Sequence, residues 1–161
     1  MLETYSPYLR RDLTEVKVSD LDNIIIEGDQ EEILNRVYRA VLGIMNDGKK
    51  VVMIGGDHST TYPMVRSAKD VYKDIVLIHF DAHCDLREEY LGNRYSHASV
   101  IRRCYEITKD IYQFGIRSGD RGEWEFAWKN TNIFTRLPRK EDIEEIRSLD
   151  KYIYITIDIL I

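Results

Sequence analysis

The stretch IVLIHFDAHCD, residues 75–85, joins an apolar run to a cluster of acidic and imidazole side chains. Its first six residues are almost continuously apolar, which is typical of a strand buried on both faces of a parallel sheet. Asp81, His83 and Asp85 follow at intervals of two, so an extended backbone would point all three side chains the same way. Ligands of open parallel sheets bind beyond the carboxyl ends of the strands. The segment therefore predicts a buried strand with a polar site at its end.

Helix and strand patterns alternate on both sides of this segment. Before it, apolar residues recur at helical spacing over Gln30–Asn46, and the apolar run at residues 51–54 predicts another buried strand. Weaker patterns make residues 16–21 and 24–26 strand candidates, and Ser59 or Thr60 is expected to cap a helix that runs to about Tyr72. After the segment we expect helices at 97–108, 122–129 and 140–150, and strands at 111–116, 132–135 and 152–158. This order predicts a three-layer α/β/α fold with a mainly parallel sheet, as a single domain over residues 1–161.

Composition excludes several classes of protein. The 161 residues are 43% hydrophobic, which is enough for a core, and they carry a formal net charge of −5. An acidic chain lacks the basic surface that binds a nucleic-acid backbone, so no nucleic-acid partner is expected. No apolar run approaches the roughly 20 residues of a membrane-spanning helix, and the first residues do not resemble a secretion signal. Two cysteines, Cys84 and Cys104, provide no disulfide framework, so we expect a cytoplasmic protein.

Acidic and imidazole side chains follow three of the predicted strands. They lie in GGDHS at residues 55–59, in DAHCD at 81–85, and at Asp158. Asp81, Asp85 and Asp158 would bring three negative charges together without a lysine or arginine in the same motifs, so their pKa values would rise unless a cation bound there. Carboxylates with imidazole suit Mn²⁺ or Mg²⁺ better than a thiolate-bound structural zinc. Taken singly, the motifs could be a helix cap, a solvated loop and a strand-end acid, but their joint placement favours a metal site.

The motifs GGDHS (55–59), HFDAHCD (79–85) and TID (156–158) resemble the three metal-binding motifs of the ureohydrolases, the arginase and agmatinase family. The segment SHASVIRR (96–103) is more similar to the agmatinase branch than to arginase, and LREEY (86–90) and GIR (115–117) are also similar to agmatinase segments. The resemblance extends over nearly the whole chain. It implies two Mn²⁺ ions and the hydrolysis of a guanidino group, with agmatine and water giving putrescine and urea. It also leaves a homo-oligomer open, since family members commonly assemble.

The resemblance also implies roles for individual residues. His58, Asp81, Asp85 and Asp158 would hold one Mn²⁺ ion, and His83 would hold the other together with Asp81 and Asp158, which bridge the two. Asp81 and His97 would be the catalytic residues, with His97 as a proton shuttle to the leaving amine. Without the resemblance, His97 would be interpreted as an ordinary exposed loop histidine. His79 is expected to pack or to support a neighbouring ligand, and Cys84 to fill space rather than to act as a nucleophile.

One position departs from the family motif. Leu160 stands where the third motif normally has a second aspartate, and a leucine cannot ligate a cation, so the second ion is expected to bind more weakly. Family members are longer, so we expect the sheet to be incomplete at its C-terminal side, with residues 152–158 at an exposed edge. Three alternatives stay open. The chain could be an inactive fragment that serves as a binding or assembly module, another ureohydrolase such as an arginase or guanidinobutyrase, or a phosphatase-like hydrolase with Asp81 as nucleophile.

Overall fold

The computed structural model describes residues 4–159. Its main sheet has four parallel strands in the order β5–β4–β3–β6, and a separate antiparallel ribbon pairs β1 with β2. The strands are β1 (Tyr5–Ser6), β2 (Arg11–Asp12), β3 (Ile75–Phe80), β4 (Ile111–Phe114), β5 (Asn132–Phe134) and β6 (Tyr152–Ile157). The helices are α1 (Gln30–Asn46), α2 (Thr61–Tyr72), α3 (Val100–Ile107), α4 (Arg121–Asn130) and α5 (Lys140–Ser148). Within this part of the chain, no helix combines the length and the apolar character needed to cross a bilayer.

The main sheet separates two apolar layers. Ile75 and Leu77 of β3 pack into the larger layer, which α1, α2, α3 and α4 also line. Val76 and Ile78 point to the other face, where Ile146 of α5 joins the smaller layer. Successive strand residues point to opposite faces, so a strand covered by helices on both sides must be apolar throughout. The predicted three-layer α/β/α fold with a parallel sheet is confirmed.

Helix α1 begins and ends at the residues that its sequence pattern predicts. The Asp29 carboxylate accepts a hydrogen bond from the Glu32 amide, and the Glu32 side chain accepts one from the Asp29 amide, which together form a capping box. The buried stripe of this helix consists of Leu34, Val37, Val41 and Met45. Gly48 follows with a φ of 72°, a left-handed conformation that glycine adopts without steric cost. These side chains pack α1 against α2, and α2 directly follows the turn that carries His58.

The predicted strand at residues 51–54 is wrong. These residues form no strand, and Val52 and Ile54 are 91% and 97% exposed. A strand needs a neighbouring strand for its backbone hydrogen bonds, and none lies beside this segment within residues 4–159. Residues 16–21 and 24–26 likewise form no strand. Thr60 is the N-cap residue of α2, one of the two predicted candidates, but its side chain makes no capping hydrogen bond. The Asp57 carboxylate instead accepts a hydrogen bond from the Ser59 amide at the 3₁₀ turn, His58–Thr60, that precedes α2. The predicted departure at Leu160 lies outside the described residues.

Helix α5 depends on an ionised aspartate. The Asp142 carboxylate accepts hydrogen bonds from the Arg136 guanidinium at 2.5 and 2.9 Å and from the Arg139 amide at 2.6 Å. The Arg136 bond and then the Arg139 bond lower the pKa of Asp142 to about 2, from an ordinary value of 3.8. A lowered pKa stabilises the fold above the unfolded value, and this contribution is lost as the pH falls from about 4 to about 2. We therefore expect Asp142→Asn to be less stable than the parent chain at pH 5, with the difference shrinking towards pH 2.

Urea unfolding at pH 5, 4, 3 and 2 measures this difference. Glu141→Gln is the matched control, since Glu141 is an exposed acidic residue in the first turn of the same helix. A difference between parent and Asp142→Asn that stays constant over this range would contradict the assignment.

Candidate metal centre

Four polar side chains meet at the carboxyl end of β3. His58, His79, Asp81 and Asp85 are all buried, and one potential ligand atom from each lies within 4.8 Å of all the others. The Nδ1 atom of His58 lies 2.7 Å from Oδ2 of Asp85 and 3.5 Å from Oδ2 of Asp81. It is also 3.6 Å from Oδ2 of Asp158, the residue that follows β6. One imidazole nitrogen is therefore surrounded by three carboxylates from two strand ends.

His83 lies on the other side of Asp81. Its Nδ1 atom is 3.4 Å from Oδ1 of Asp81, whereas His58 faces the opposite oxygen, Oδ2. The His83 side chain is 41% exposed, so this side of the cluster opens to solvent. The Asp158 amide donates to the Phe80 carbonyl at 2.9 Å, which extends the pairing of β6 with β3 and brings its side chain to the site. The structure thus places all five predicted metal ligands at one location, and their role as ligands stays a prediction.

Hydrogen bonds from several backbone amides hold the loop after β3 in place. The Asp81 amide donates to the Phe114 carbonyl, the Cys84 amide to the Ser118 carbonyl, and the Leu86 amide to the buried Glu123 carboxylate at 3.0 Å. Asp85 has a φ of 51°, a left-handed conformation that aspartate tolerates better than most residues. Its carbonyl accepts the amides of residues 101 and 102 in the first turn of α3. These bonds fix the direction in which Asp81 and Asp85 point.

Opposing effects set the charges of the cluster. Burial lowers the pKa of His58, but hydrogen bonding to Asp85 and the nearby charges of Asp81 and Asp158 outweigh it, so the pKa is raised overall. Burial raises the pKa of Asp81, but hydrogen bonds from His79 and from the His83 amide outweigh it, so this pKa is lowered. These shifts favour an ionised Asp81 carboxylate beside a positively charged His58.

A divalent cation fits this donor set. Among the basic side chains within residues 4–159, only histidines place a nitrogen within 4.0 Å of the carboxylates of Asp81, Asp85 and Asp158. Three negative charges therefore converge without a lysine or arginine to balance them. Hard carboxylate oxygens with neutral imidazole nitrogens are ligands that suit Mn²⁺ and related divalent ions. A bound divalent ion would take the place of the proton on His58, since a ligating imidazole must be neutral.

A chain of hydrogen bonds fixes His79. The Nε2 atom of the Gln113 amide donates to the Cys84 carbonyl at 2.9 Å, which can only accept, so this orientation of the amide is determined. The same nitrogen lies 3.0 Å from Nδ1 of His79, which must therefore accept. His79 then carries its proton on Nε2 and donates it to Oδ2 of Asp81 at 3.0 Å. With both ring nitrogens engaged, His79 orients Asp81 rather than offering a lone pair to a cation.

Sequence reasoning missed Gln113, although a signal was present. Gln113 is the polar residue within the otherwise apolar strand β4 (IYQF), it is fully buried, and it pairs in register with His79. A buried polar residue inside a strand must find a hydrogen-bond partner, so it indicates a polar neighbour on the adjacent strand. The sequence alone does not show that this neighbour is His79.

Removing the Gln113 amide tests the role of this chain of hydrogen bonds. We expect Gln113→Leu to weaken Mn²⁺ binding by about 10- to 100-fold, because Nδ1 of His79 loses its donor and the ring no longer holds Asp81 in one orientation. Calorimetric titration with Mn²⁺ measures the affinity, and ¹⁵N chemical shifts of His79 report its tautomer. Tyr112→Phe is the control, since Tyr112 is the preceding residue on β4, packs in the smaller apolar layer and bonds Glu145. An unchanged tautomer and affinity in Gln113→Leu would refute the proposed orientation of Asp81.

His97 lies outside the buried cluster. It begins a 3₁₀ turn, His97–Ser99, and its side chain is 54% exposed. Its Nδ1 atom is 3.7 Å from Oδ2 of Asp57, and its ring stands edge-on to Tyr90 with centroids 5.5 Å apart. An exposed imidazole beside a carboxylate can exchange protons with solvent, as a proton shuttle must. The shuttle role of His97 stays a prediction.

Cys84 fills space within the loop. Its side chain is fully buried, and burial together with the nearby charges of Glu123 and Asp85 raises the pKa of the thiol to about 12. A thiol with such a pKa is almost entirely protonated at neutral pH and is a poor nucleophile. A Cβ at Gly119 would come within 2.6 Å of the Cys84 sulfur, so the glycine allows the two loop segments to approach closely.

The geometry agrees with comparisons to known proteins. A model of the arginase family matches residues 1–159. The agmatinase of Bacillus subtilis is 36% identical over 163 residues, which cover 98% of this chain and 56% of that protein. The N(1)-aminopropylagmatine ureohydrolase of Thermus thermophilus is 37% identical over 138 residues, covering 83% of this chain and 47% of that protein. A crystal structure from Clostridium difficile superposes with a TM-score of 0.86 at 40% identity, covering 96% of this chain and 58% of that one.

These matches carry two conclusions. The chain spans about half the length of the curated relatives it matches. Its strand order, its buried histidine–aspartate cluster and the family match over residues 1–159 agree with one another. The chain belongs to the arginase family.

Proposed function

We propose that this chain carries the metal centre of a binuclear manganese ureohydrolase that converts agmatine and water into putrescine and urea. The observation that carries the proposal is the convergence of His58, Asp81, Asp85 and Asp158 at the ends of β3 and β6, with His83 on the opposite side of Asp81. The chain has two free, buried cysteines, Cys84 and Cys104, which suit a protein of the reducing cytoplasm.

Each metal ligand has a place in this proposal. His58 and Asp85 would hold one Mn²⁺, His83 would hold the second, and Asp81 and Asp158 would bridge them. Bound Mn²⁺ supplies one chemical function, since it lowers the pKa of water so that hydroxide is available near neutral pH. Asp81 suits a bridging role, because its two oxygens face His58 and His83 respectively.

The remaining chemistry belongs to side chains around the cluster. His79 donates to Asp81 through Nε2 and would hold the carboxylate in one orientation. The exposed imidazole of His97 would hold the proton that the leaving amine of the guanidino group requires. This amine must be protonated because it departs as a neutral or cationic amine rather than as an anion.

Similarity and overall charge favour agmatine over arginine and 4-guanidinobutyrate. The agmatinase of Bacillus subtilis is 36% identical over 163 residues. Agmatine is a compact dication without a carboxylate, and a chain with a formal net charge of −5 is compatible with such a substrate.

Urea release tests the proposal. The purified chain is loaded with Mn²⁺ and supplied with agmatine, N(1)-aminopropylagmatine, arginine or 4-guanidinobutyrate in parallel. We expect urea from agmatine above all. Faster urea release from any of the other three compounds would identify that compound, instead of agmatine, as the substrate. The absence of urea from all four would contradict activity in this chain.

A second candidate is a binding or assembly module that holds metal without turnover. The chain spans about half the length of its relatives, and the edge strands β5 and β6 each pair with a strand on one side only within residues 4–159, which favours this alternative. Tight Mn²⁺ binding without urea release would support it, whereas turnover of agmatine would exclude it.

A further inference from the structure

Residues 86–96 connect Asp85 of the metal centre to the turn that begins at His97, and we call this segment the arm. The Arg87 amide donates to the Ala98 carbonyl at 3.1 Å, which closes the arm at its base. The arm contains none of the predicted metal ligands. Its ordered contacts therefore serve something other than direct binding of a cation.

A tight turn closes the arm at its tip. The amides of Tyr90 and Asn93 each donate to the carbonyl of the other at 3.0 Å. Between them, Leu91 has a φ of 51° and Gly92 a φ of 76°. Two central residues with positive φ reverse the chain in the shortest possible loop. Because leucine rarely adopts a positive φ, the surrounding structure, rather than the preference of Leu91, imposes this turn.

The aromatic ring of Tyr90 packs against His97. The two ring centroids are 5.5 Å apart and the ring planes meet at 65°, which is an edge-to-face contact. The Arg87 guanidinium lies over the Tyr90 ring, 5.2 Å from its centre. The Nε atom of Arg87 is in turn 3.4 Å from Oε2 of the buried Glu123 in α4. Tyr90 therefore connects His97 to the start of α4.

The next residue of the arm, Glu88, is bound to a different helix. Its two carboxylate oxygens each lie 2.9 Å from an arginine of α3, Oε1 from Nη2 of Arg103 and Oε2 from Nη2 of Arg102. We call this arrangement the latch. The Arg103 side chain is only 1% exposed, and its Nη1 lies 2.8 Å from Oε1 of Glu106. A buried guanidinium is stable only beside its counter-charges, so Arg103 retains Glu88 at this place.

The opposite contact of His97 does not fix the ring by itself. Its Nδ1 atom is 3.7 Å from Oδ2 of Asp57, whose other oxygen accepts from the Ser59 amide at 2.8 Å. A carboxylate at this distance attracts the imidazole but leaves the plane of the ring free to turn. The Tyr90 ring restricts that plane, because an edge-to-face contact depends on the angle between the rings.

We propose that Tyr90 is a positioning residue for His97 and that the Glu88 latch holds Tyr90 in place. This rests on the proposed function, in which the His97 imidazolium gives one proton to the departing amine nitrogen as its bond to carbon breaks. The neutral ring then regains a proton from solvent. Transfer is efficient only from a fixed position within hydrogen-bond reach of the accepting atom. The arm supplies that fixed position.

Nuclear magnetic resonance of the histidine side chains tests the positioning without turnover. The chain carries labelled histidine, Mg²⁺ replaces paramagnetic Mn²⁺, and His97→Gln assigns the signals. Three-bond couplings report whether His97 keeps one χ1 rotamer. We expect one rotamer in the parent chain and rotamer averaging in Tyr90→Leu. Tyr90→Phe should restore the single rotamer, because the contact uses the ring rather than the hydroxyl group.

A matched pair of glutamates tests the latch. Glu88→Gln removes the charge that faces Arg102 and Arg103, and we expect His97 to show partial rotamer averaging. Glu89→Gln is the control, since Glu89 is the adjacent exposed glutamate and forms no ion pair within 4.0 Å in the described part of the chain. Hydrogen–deuterium exchange in β3 and β4 reports whether each variant is folded. Tyr90→Leu decides the matter should Glu88→Gln unfold.

Steady-state kinetics separate positioning from substrate binding. In a chain that releases urea from agmatine, we expect Tyr90→Leu to lower kcat by about tenfold or more, with KM and Mn²⁺ affinity within about twofold of the parent. Tyr90→Phe should restore kcat. A rise in KM with unchanged kcat would contradict the proposal and assign the arm to substrate binding instead.

Two results from the rotamer measurement would overturn the proposal. One is a single His97 rotamer in Tyr90→Leu, and the other is equal averaging in Glu88→Gln and Glu89→Gln. A parent chain that releases no urea would refute the proposed function alone, since the couplings still decide whether Tyr90 positions His97.

Discussion

Asp81→Asn is expected to weaken Mn²⁺ binding by about 100-fold or more, since a carboxylate ligand contributes at least as much as the supporting residues around it. Asp81 is buried, and its two oxygens face His58 and His83, so the substitution removes the charge shared by both sides of the cluster. The amide of asparagine also cannot accept from both His79 and the His83 amide as the carboxylate does. Calorimetric titration of the purified chain with Mn²⁺ measures the loss.

Asp74→Asn is the matched control for this result. Asp74 immediately precedes β3, whereas Asp81 immediately follows it, so the two residues lie at opposite ends of the same strand. Asp74 is exposed, and we expect its substitution to leave Mn²⁺ affinity unchanged. Equal affinities for parent and Asp81→Asn would show that this carboxylate is not a ligand and would remove the basis of the proposed function.

Glu123→Ala is expected to lower the free energy of unfolding by about 2–4 kcal/mol, from the loss of a helix cap and of partners for buried amides. Glu123 is 5% exposed, and its side chain forms the second bond of the capping box of α4 by accepting from the Asp120 amide at 2.9 Å. Its second oxygen accepts from the Leu86 amide at 3.0 Å, directly after Asp85. One carboxylate therefore joins the start of α4 to the loop that carries Asp81 and Asp85.

Glu125→Ala separates this effect from a general loss of charge on α4. Glu125 lies two residues further along the helix, is exposed, and pairs with Arg121 at 2.7 Å. An exposed pair of this spacing contributes about 0.2–0.5 kcal/mol, so this control should change stability little. Urea unfolding of both variants measures the difference. Similar stabilities for the two variants would mean that the bond from Leu86 to Glu123 does not hold the loop.

Local sequence patterns predicted most of the regular structure. The helix at Gln30–Asn46 and the strand at Ile75–Phe80 have the bounds that their patterns indicate, and β6 ends one residue earlier than expected. These elements follow from periodicity and caps, which act between residues close in the chain. The same reasoning located Asp81, His83, Asp85 and Asp158 after strands, because the parallel order brings carboxyl ends to one edge of the sheet. His58 joins them from a 3₁₀ turn that follows no strand.

The segment at residues 51–54 shows where local patterns are insufficient. Its apolar run is typical of a buried strand, yet Val52 and Ile54 remain exposed and the backbone pairs with no strand among residues 4–159. A strand, unlike a helix, obtains its hydrogen bonds from another part of the polypeptide. Its formation therefore depends on a neighbour, which the run itself does not supply.

By itself, the sequence determined the parallel α/β architecture and the acidic and imidazole residue types that suit a divalent cation, since hydrophobic period and ligand chemistry are properties of short segments. Only the tertiary structure decided that Gln113 fixes the tautomer of His79 and that Glu123 holds the amide of Leu86. These contacts join residues 34 and 37 positions apart. The physical reason is that a buried polar group must be paired, but its partner is selected by three-dimensional proximity rather than by spacing along the chain.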